Sequence, residues 1–285
     1  MASLQLQLKL LRYRLQLQLQ RRLAQLVDLW PWPRPSPLRA SAFVASLNTL
    51  PALRVALGTL AAVEGRQPMP LLIADNASSD GSVAFLHAYA QRRPDVELIL
   101  HDGIHWHGLW IDKALQRAEG DLLFVLDSDL IFFGRSLFER CRDYMARHPE
   151  CWILQADSWE QRRDKEHDGD ERLYDEALST WFLCIRTGLR ERVSESFIAV
   201  FPADQPQRQG RPVMSDTGAR VIQAMRRQGL EIHALPRLWR WQFHHVGSLS
   251  WLPWAGDQQN TWMQLKQAKL RLLERWGRRL WHGLP

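Results

Sequence analysis

The stretch GDLLFVLDSDLIFF, Gly120–Phe133, decides the fold, because an apolar run carries two carboxylates in its middle. Its first half has the composition of a buried β-strand that ends at Asp127. A buried carboxylate is costly unless it is paired or binds a cation, so Asp127 and Asp129 require an explanation. Carboxylates suit a hard divalent cation, and magnesium and manganese both fit. The alternative is a strand-ending turn with two solvated acids, since an isolated Asp-Ser-Asp is a short motif.

Outward from this stretch, short apolar strands alternate with helices. The predicted strands are ASAFVAS (40–46), MPLLIAD (69–75), DVELILH (95–101) and DLLFVLD (121–127). The predicted helices between them cover residues 50–65, 82–93 and 108–120. This alternation predicts an α/β fold built from βαβ units around a parallel sheet. Ligands of such sheets bind beyond the carboxyl ends of the strands, where Asp75 and Asp127 end theirs.

Two segments flank the alternating pattern. Leucines recur at helical spacing along residues 1–28, whereas the LQLQL pieces alternate as a strand would. The length of the segment favours a helix. The stretch PWPRPSP, Pro31–Pro37, is too rich in proline for a helix or strand, and it predicts a linker. We therefore expect a basic amphipathic segment with a Pro-rich linker at 1–38, one domain at 39–250, and a basic amphipathic helix at 251–285.

The net charge of +6 belongs to the two ends of the chain. Residues 1–28 hold five Lys and Arg against one acid, and residues 260–285 hold six against one, so the rest is slightly acidic. That distribution, together with the lack of a groove-reading motif, argues against nucleic-acid binding. No uncharged apolar run approaches the roughly 20 residues of a membrane span. The N-terminal leucines alternate with glutamines and arginines instead of forming a continuous apolar region, so we expect no signal peptide. We expect a cytoplasmic protein.

Four blocks of sequence, the third of which contains the acid pair, follow one another in a recognisable order. They are FVASLNTLPALRVALGTL, IADNASSDGS, GLWIDKALQRAEGDLLFVLDSD and SDTGARVIQAMRRQGLEIHALPRLWRWQFHHVGSLS. In this order they resemble the family-2-like glycosyltransferases from about residue 40 to residue 250. The resemblance implies a GT-A fold, which is a Rossmann-like mixed sheet flanked by helices. The amphipathic N- and C-terminal helices would then be extensions of that fold.

The same resemblance implies a nucleotide-sugar donor and a divalent metal, Mn²⁺ or Mg²⁺. Asp75 would contact the base or ribose, Asp127 the ribose or sugar, and Asp129 the metal, which neutralises the diphosphate leaving group. Asp112 stands where the family usually has asparagine. The complete set of expected donor-binding residues is Asn48, Asp75, Asn76, Asp80, Asp112, Asp127 and Ser128.

The fourth block implies a general base and a metal-binding histidine. Asp216 aligns with the second acid of the family's Glu-Asp pair, and it would take the proton of the acceptor hydroxyl. Ser215 replaces the first acid, which leaves open that Ser215 and Asp216 only cap a helix. In HHVGS, His245 is the first choice for the metal ligand and His244 the second.

A cluster of histidines in HDGIHWHGLW, 101–110, also invites a metal-site interpretation. Zinc would normally need a fourth ligand, so we expect a loop that borders the donor pocket instead.

The resemblance therefore implies a metal-dependent, inverting glycosyltransferase that acts on a glycan or lipid-linked acceptor in surface polysaccharide assembly. The basic ends fit a peripheral contact with the inner face of a membrane, or else they pack on the domain or on a second subunit. A sugar-nucleotide-binding protein without catalysis is the alternative that Ser215 suggests. A nucleic-acid-binding protein is the remaining one.

Overall fold

A computed structural model describes residues 2–64, 68–157, 173–174, 177–199, 207–208, 211–247 and 261–280. The helices are α1 (Ala2–Leu29), α2 (Leu50–Val63), α3 (Ser82–Ala90), α4 (His107–Arg117), α5 (Leu137–Arg147), α6 (Leu189–Arg192), α7 (Ala219–Arg227) and α8 (Thr261–Leu280), with a 3-10 helix at Arg237–Gln242. The strands are β1 (Ala40–Ser46), β2 (Leu71–Asn76), β3 (Val96–His101), β4 (Leu122–Asp127), β5 (Leu130–Phe132), β6 (Cys151–Gln155), β7 (Leu173–Tyr174), β8 (Phe182–Arg186), β9 (Gln207–Arg208), β10 (Arg211–Met214), β11 (Glu231–Ala234) and β12 (Phe243–His245).

The main sheet has the strand order β11-β6-β8-β4-β1-β2-β3. Strands β3, β2, β1 and β4 are parallel, as the βαβ alternation predicts, and β8 runs antiparallel to both β4 and β6. The mixed α/β sheet with flanking helices confirms the predicted fold class. In the register of the sheet, Ser46 lies beside Asp75 and Ala45 beside Asp127, so both acids end at one edge.

Strand β4 is central, which explains why its sequence is almost uniformly apolar. Its residues from Leu122 to Leu126 are at most 1% exposed, because helices cover both faces of the sheet. Phe124 faces the layer that includes Leu57 of α2 and Phe138 of α5. Val125 faces the opposite layer, to which α4 and α7 contribute.

The two terminal segments are helices that pack together on this domain. Leu17 of α1 and Leu273 of α8 share a small core with Val55 of α2 and Ile131 of β5. The strand alternative for the N-terminal segment is therefore excluded. None of the helices within the described ranges is both long and apolar enough to cross a bilayer.

The Pro-rich stretch 31–37 contains neither helix nor strand, and the sheet begins at Ala40. The second predicted boundary, near residue 250, lies outside the described residues. The division into three parts stays a prediction.

Candidate active site at the carboxyl edge of the sheet

The acid pair lies in a tight connection between β4 and β5. Asp127 is the last residue of β4 and is half-buried, whereas Asp129 is only 5% exposed. The short strand β5 pairs antiparallel with β12, and this pairing places His245 opposite Leu130. A histidine more than a hundred residues away in sequence is thus brought to the acid pair.

Asp127, Asp129 and His245 form a compact cluster. The Nε2 atom of His245 lies 3.2 Å from Oδ1 of Asp129 and 3.4 Å from Oδ2 of Asp127. One ligand atom from each residue lies within 4.8 Å of the other two. This Nε2 atom is buried and has no hydrogen bond of good geometry within the described part of the chain, although both carboxylates face it. Two carboxylates and an imidazole whose ligand atoms converge in this way fit a divalent cation, which would replace the ion pairs between them.

The electrostatics of His245 follow from the same geometry. Burial favours the neutral ring, but the neighbouring carboxylates of Asp129 and Asp127 outweigh burial and raise the pKa of His245 to about 10. The ring of Trp181 stacks on His245 with centroids 4.7 Å apart and an interplanar angle of 10°. Trp181 therefore fixes the plane in which Nε2 points at the two acids.

The C-terminal helix holds the loop that follows His245. The amide of Gly247 donates to Oδ2 of Asp129 at 2.9 Å, and the amide of Val246 donates to the Asp129 carbonyl at 3.2 Å. The Nζ atom of Lys266 in α8 donates to the Val246 carbonyl at 3.1 Å and also to the Gly247 carbonyl. Burial lowers the pKa of Lys266 to about 8. One side chain of α8 thus supports the loop that orients Asp129.

The N-terminal helix holds β12 from the other side. The Nε2 atom of Gln20 donates to the carbonyls of Phe243 and Arg240, and Oε1 of Gln20 lies 3.0 Å from Nδ1 of His244. Burial, followed by the charge of Lys269, lowers the pKa of His244 to about 4. His244, the second candidate for the metal, is therefore neutral and bonded to α1, and it is not part of the cluster.

The edge formed by β1 and β2 carries the predicted nucleotide-binding residues. Asp75 is 1% exposed, and its Oδ1 accepts the Ser78 amide at 2.8 Å. Its Oδ2 is buried and has no hydrogen-bond partner among the described residues. Asn48 closes the loop, because its Oδ1 accepts the Ser79 amide at 2.7 Å.

The neighbouring polar residues have internal partners. Asp80 accepts the Leu50 amide at 2.8 Å with Oδ2 and the Ser82 amide at 3.0 Å with Oδ1, so it joins the starts of α2 and α3. The side chain of Asn76 makes two bonds with the backbone of His105, at 2.8 and 2.9 Å. Ser128 lies 2.8 Å from the Thr49 hydroxyl.

Asp112 lies on α4, and its carboxylate bonds a different segment from the one that holds the acid pair. Its carboxylate accepts the Ser196 hydroxyl and the Phe197 amide, the latter at 3.3 Å. It therefore anchors the segment that follows α6.

Asp216 lies just before α7, and the N-cap position of that helix is occupied by Gly218. The carboxylate of Asp216 accepts the Thr217 amide at 2.6 Å. The Thr217 carbonyl accepts the Leu178 amide at 3.4 Å, and Leu178 leads through Thr180 to Trp181. Asp216 is thereby joined to the segment that enters β8 beside the end of β4.

Two residues of this edge were missed as individual site candidates. Trp181, described above, follows a polar segment and carries no sequence signal of its own. His107 is the first residue of α4, and its Nε2 is buried, has no hydrogen bond within the described ranges, and lies 4.0 Å from Oδ1 of Asp127. The other two histidines of that loop, His101 and His105, bond each other at 2.9 Å. The start of a helix after a sheet strand is the signal that could have singled out His107.

A mixed sheet with a carboxylate pair and a histidine at the carboxyl edge of its central strand defines the class of GT-A nucleotide-sugar transferases. The sequence profile of glycosyl transferase family 2 matches residues 41–194, more than half of the chain. The chain belongs to glycosyl transferase family 2, and it is a glycosyltransferase. No curated protein sequence matches it.

The chain is also similar to several solved structures. A mannosyltransferase, PcManGT from Pyrobaculum calidifontis in complex with GDP-Man and Mn²⁺, is 16% identical, with a TM-score of 0.53 over 97% of this chain and 84% of that one. The glucosyl-3-phosphoglycerate synthase of Mycobacterium tuberculosis with Mg²⁺ and UDP is 12% identical, with a TM-score of 0.46 over 70% and 69% of the chains. S. aureus TarS 1–349 is 15% identical, with a TM-score of 0.42 over 65% and 63%. At 16% identity the likeness to the mannosyltransferase concerns the fold alone.

Proposed function

We propose that this protein is a metal-dependent, inverting glycosyltransferase that moves a sugar from a nucleotide-sugar donor to a hydroxyl of its acceptor. The observation that carries the proposal is the convergence of Asp127, Asp129 and His245 at the carboxyl edge of the sheet. The buried Oδ2 of Asp75, which has no hydrogen bond within the described residues, lies at the same edge, two strands away. One edge would therefore hold a cation beside polar groups that could bind a nucleoside.

The metal would be held by Asp129, His245 and Asp127. When bound, a divalent cation would neutralise the charge that develops on the diphosphate as the sugar–phosphate bond breaks. An imidazole among the ligands favours Mn²⁺ over Mg²⁺, which prefers an all-oxygen shell. His107 lies near enough to Asp127 to contact the diphosphate as well.

The donor nucleoside would lie over the ends of β1 and β2. We assign Asp75 to the base or ribose, because its Oδ2 is buried and available. Asn48, Asn76 and Asp80 shape the loop around it, since their side chains bond that loop and its neighbours. Ser128 and Asp127 would face the ribose or sugar. Asp112 acts at most indirectly, through the segment that it anchors.

Asp216 would act as the general base. Its carboxylate takes the proton of the acceptor hydroxyl while the acceptor oxygen bonds to the anomeric carbon and the nucleoside diphosphate leaves. A single displacement of this kind inverts the anomeric configuration. The second candidate, a donor-binding protein without turnover, rests on Ser215, which stands where the family has an acid.

The acceptor would be a glycan or a lipid-linked sugar used in surface polysaccharide or glycolipid assembly. We place the protein in the cytoplasm, in peripheral contact with the inner face of the membrane. The described side chains of the C-terminal helix, 264–275, do not favour that contact, because Leu272 and Leu273 are buried and none of the large apolar side chains in this range is exposed.

The test is a panel of UDP-, dTDP- and GDP-linked sugars, assayed for slow hydrolysis with Mn²⁺ and for the anomeric configuration of the released sugar by NMR. Wild type is compared with Asp216→Asn and with Asp143→Asn, a control on α5 where the aspartate pairs with Arg147. We expect one donor to be hydrolysed with inversion, Asp216→Asn to bind it without turnover, and the control to match wild type. Metal-dependent donor binding without hydrolysis by wild type, and without transfer to any offered acceptor, would favour the inactive binding protein instead.

A further inference from the structure

Helix α1 has two apolar faces, and the domain uses only one of them. Its inner face, formed by Tyr13, Leu17, Gln20 and Ala24, is buried against α8 and β12. Its outer face is a row of leucines whose exposed fractions lie between 51% and 63%. These are Leu4, Leu8, Leu11, Leu15, Leu19 and Leu26.

The spacing of three, four and seven residues places these leucines in one row along the helix. At 1.5 Å per residue the row is about 33 Å long. Leu29, the last residue of the helix, is 81% exposed, and Trp30 and Trp32 directly after it are 65% and 56% exposed. A contiguous apolar surface of this size marks an interaction site, since isolated exposed leucines would be scattered.

The charge beside the row identifies the partner. The basic residues of the helix are all exposed, namely Lys9, Arg12, Arg14, Arg21 and Arg22. The one acid of α1, Asp28, is turned inward and accepts hydrogen bonds from Ser136 and Gln242. The outward charge is therefore entirely positive. Two copies of such a helix would repel each other, whereas an anionic lipid surface would attract it.

We propose that the outer face of α1 lies in the interface of a membrane that contains anionic lipids. The leucines enter the acyl boundary, the long basic side chains reach the headgroups, and the two tryptophans sit at the headgroup level. Exposed tryptophans at the end of an apolar row suit that position, because their rings have both apolar and polar parts.

The lipid contact also bears on the acceptor, and this consequence rests on the proposed function. The inner face of the same helix holds β12 through Gln20, and β12 carries His245. Only α1, about 10 Å thick, and the strand β12 therefore separate the lipid contact from the metal cluster. That distance suits an acceptor sugar carried on a lipid rather than a free glycan.

The experiment is a flotation assay of the full chain with vesicles of phosphatidylcholine, with and without phosphatidylglycerol. Leu8→Gln combined with Leu15→Gln is the test variant, because glutamine keeps helix propensity close to that of leucine. The matched control is Leu100→Gln combined with Leu238→Gln, whose side chains are 40% and 57% exposed elsewhere on the surface. Manganese-dependent sugar-nucleotide binding and oligomeric state are measured on every sample.

We expect wild type to float with the anionic vesicles, less so at high salt. The partition should fall at least about tenfold in the test variant and stay unchanged in the control. Wild type that binds donor but does not float would overturn the lipid contact and leave the proposed function standing. Flotation without donor binding would do the reverse. Equal flotation of the test variant, or a stable dimer that the test variant abolishes, would also overturn the inference.

Discussion

The substitution Gln20→Ala should weaken the active site from a helix that lies outside the sheet domain. Gln20 is 8% exposed and bonds the carbonyls of Phe243 and Arg240 and the Nδ1 atom of His244. Alanine leaves at least two of these buried groups unsatisfied, at about 1–3 kcal/mol each, so we expect a loss of about 2–4 kcal/mol. Because β12 carries His245, the affinity for Mn²⁺ with donor should fall too.

Two measurements check this prediction. Urea denaturation gives the free energy of unfolding, and titration calorimetry gives the metal-dependent affinity for the donor under conditions where the variant is folded. Gln18→Ala is the matched control, since Gln18 is exposed on the same helix and should change stability by less than about 0.5 kcal/mol. If Gln20→Ala matches Gln18→Ala in both measurements, α1 does not support β12 and the reasoning fails.

Three further predictions follow from the geometry of the site. Gly108→Ala should lower stability by about 1–3 kcal/mol in urea denaturation, because the new Cβ would lie 2.3 Å from the Phe197 carbonyl oxygen. It should also slow turnover, since that carbonyl accepts the Gly218 amide beside Asp216. Gly103→Ala is its control, with no atom within 4 Å of the new Cβ, and equal behaviour of the two would refute the contact. Trp181→Ala should weaken Mn²⁺ binding in calorimetry more than Trp181→Phe, which keeps a ring against His245; equal affinities would exclude orientation by stacking. Mn²⁺ binding should release about one proton, because the raised pKa of His245 keeps the ring protonated below about pH 10, and the metal needs the neutral ring. The affinity should therefore fall as the pH is lowered, by up to about tenfold per unit, and a flat profile between pH 6 and 9 would contradict this role of His245.

The parallel strands could be predicted because each is short, apolar and followed by a helix pattern. The acid at the end of β4 marked the edge of the sheet that carries the site. The match of residues 41–194 to the family confirms what the quoted motifs indicated. The roles assigned to Asp75, Asp129, Asp216 and His245 stay predictions.

The pairing of β5 with β12 could not be read from local pattern, because each strand has only three residues. His245 was reached through the family resemblance alone. Its partner Trp181 gave no signal, since tryptophan fills cores as often as it stacks on a functional ring.

The orientation of α1 was also beyond a pattern argument. Its leucine row is the more apolar face, so amphipathicity alone would turn it toward the domain. The structure buries a face that includes Gln20 instead, because the exposed backbone of β12 needs hydrogen-bond partners that leucine cannot supply. The hydrogen bonds that the backbone of β12 needs depend on the tertiary structure, so the sequence of the helix alone does not reveal them.

The most direct test of the account is calorimetric binding of sugar nucleotides with and without Mn²⁺, on wild type, Asp129→Asn and the control Asp143→Asn, whose aspartate pairs with Arg147 on α5. Asparagine keeps the shape of Asp129 and can still accept the Gly247 amide, so the fold should survive while a charged ligand is lost. We predict that wild type and the control bind one donor only with Mn²⁺. Folded Asp129→Asn should bind that donor no more tightly with Mn²⁺ than without it. Donor binding by folded Asp129→Asn that matches wild type would contradict the central claim that Asp129 holds the catalytic metal.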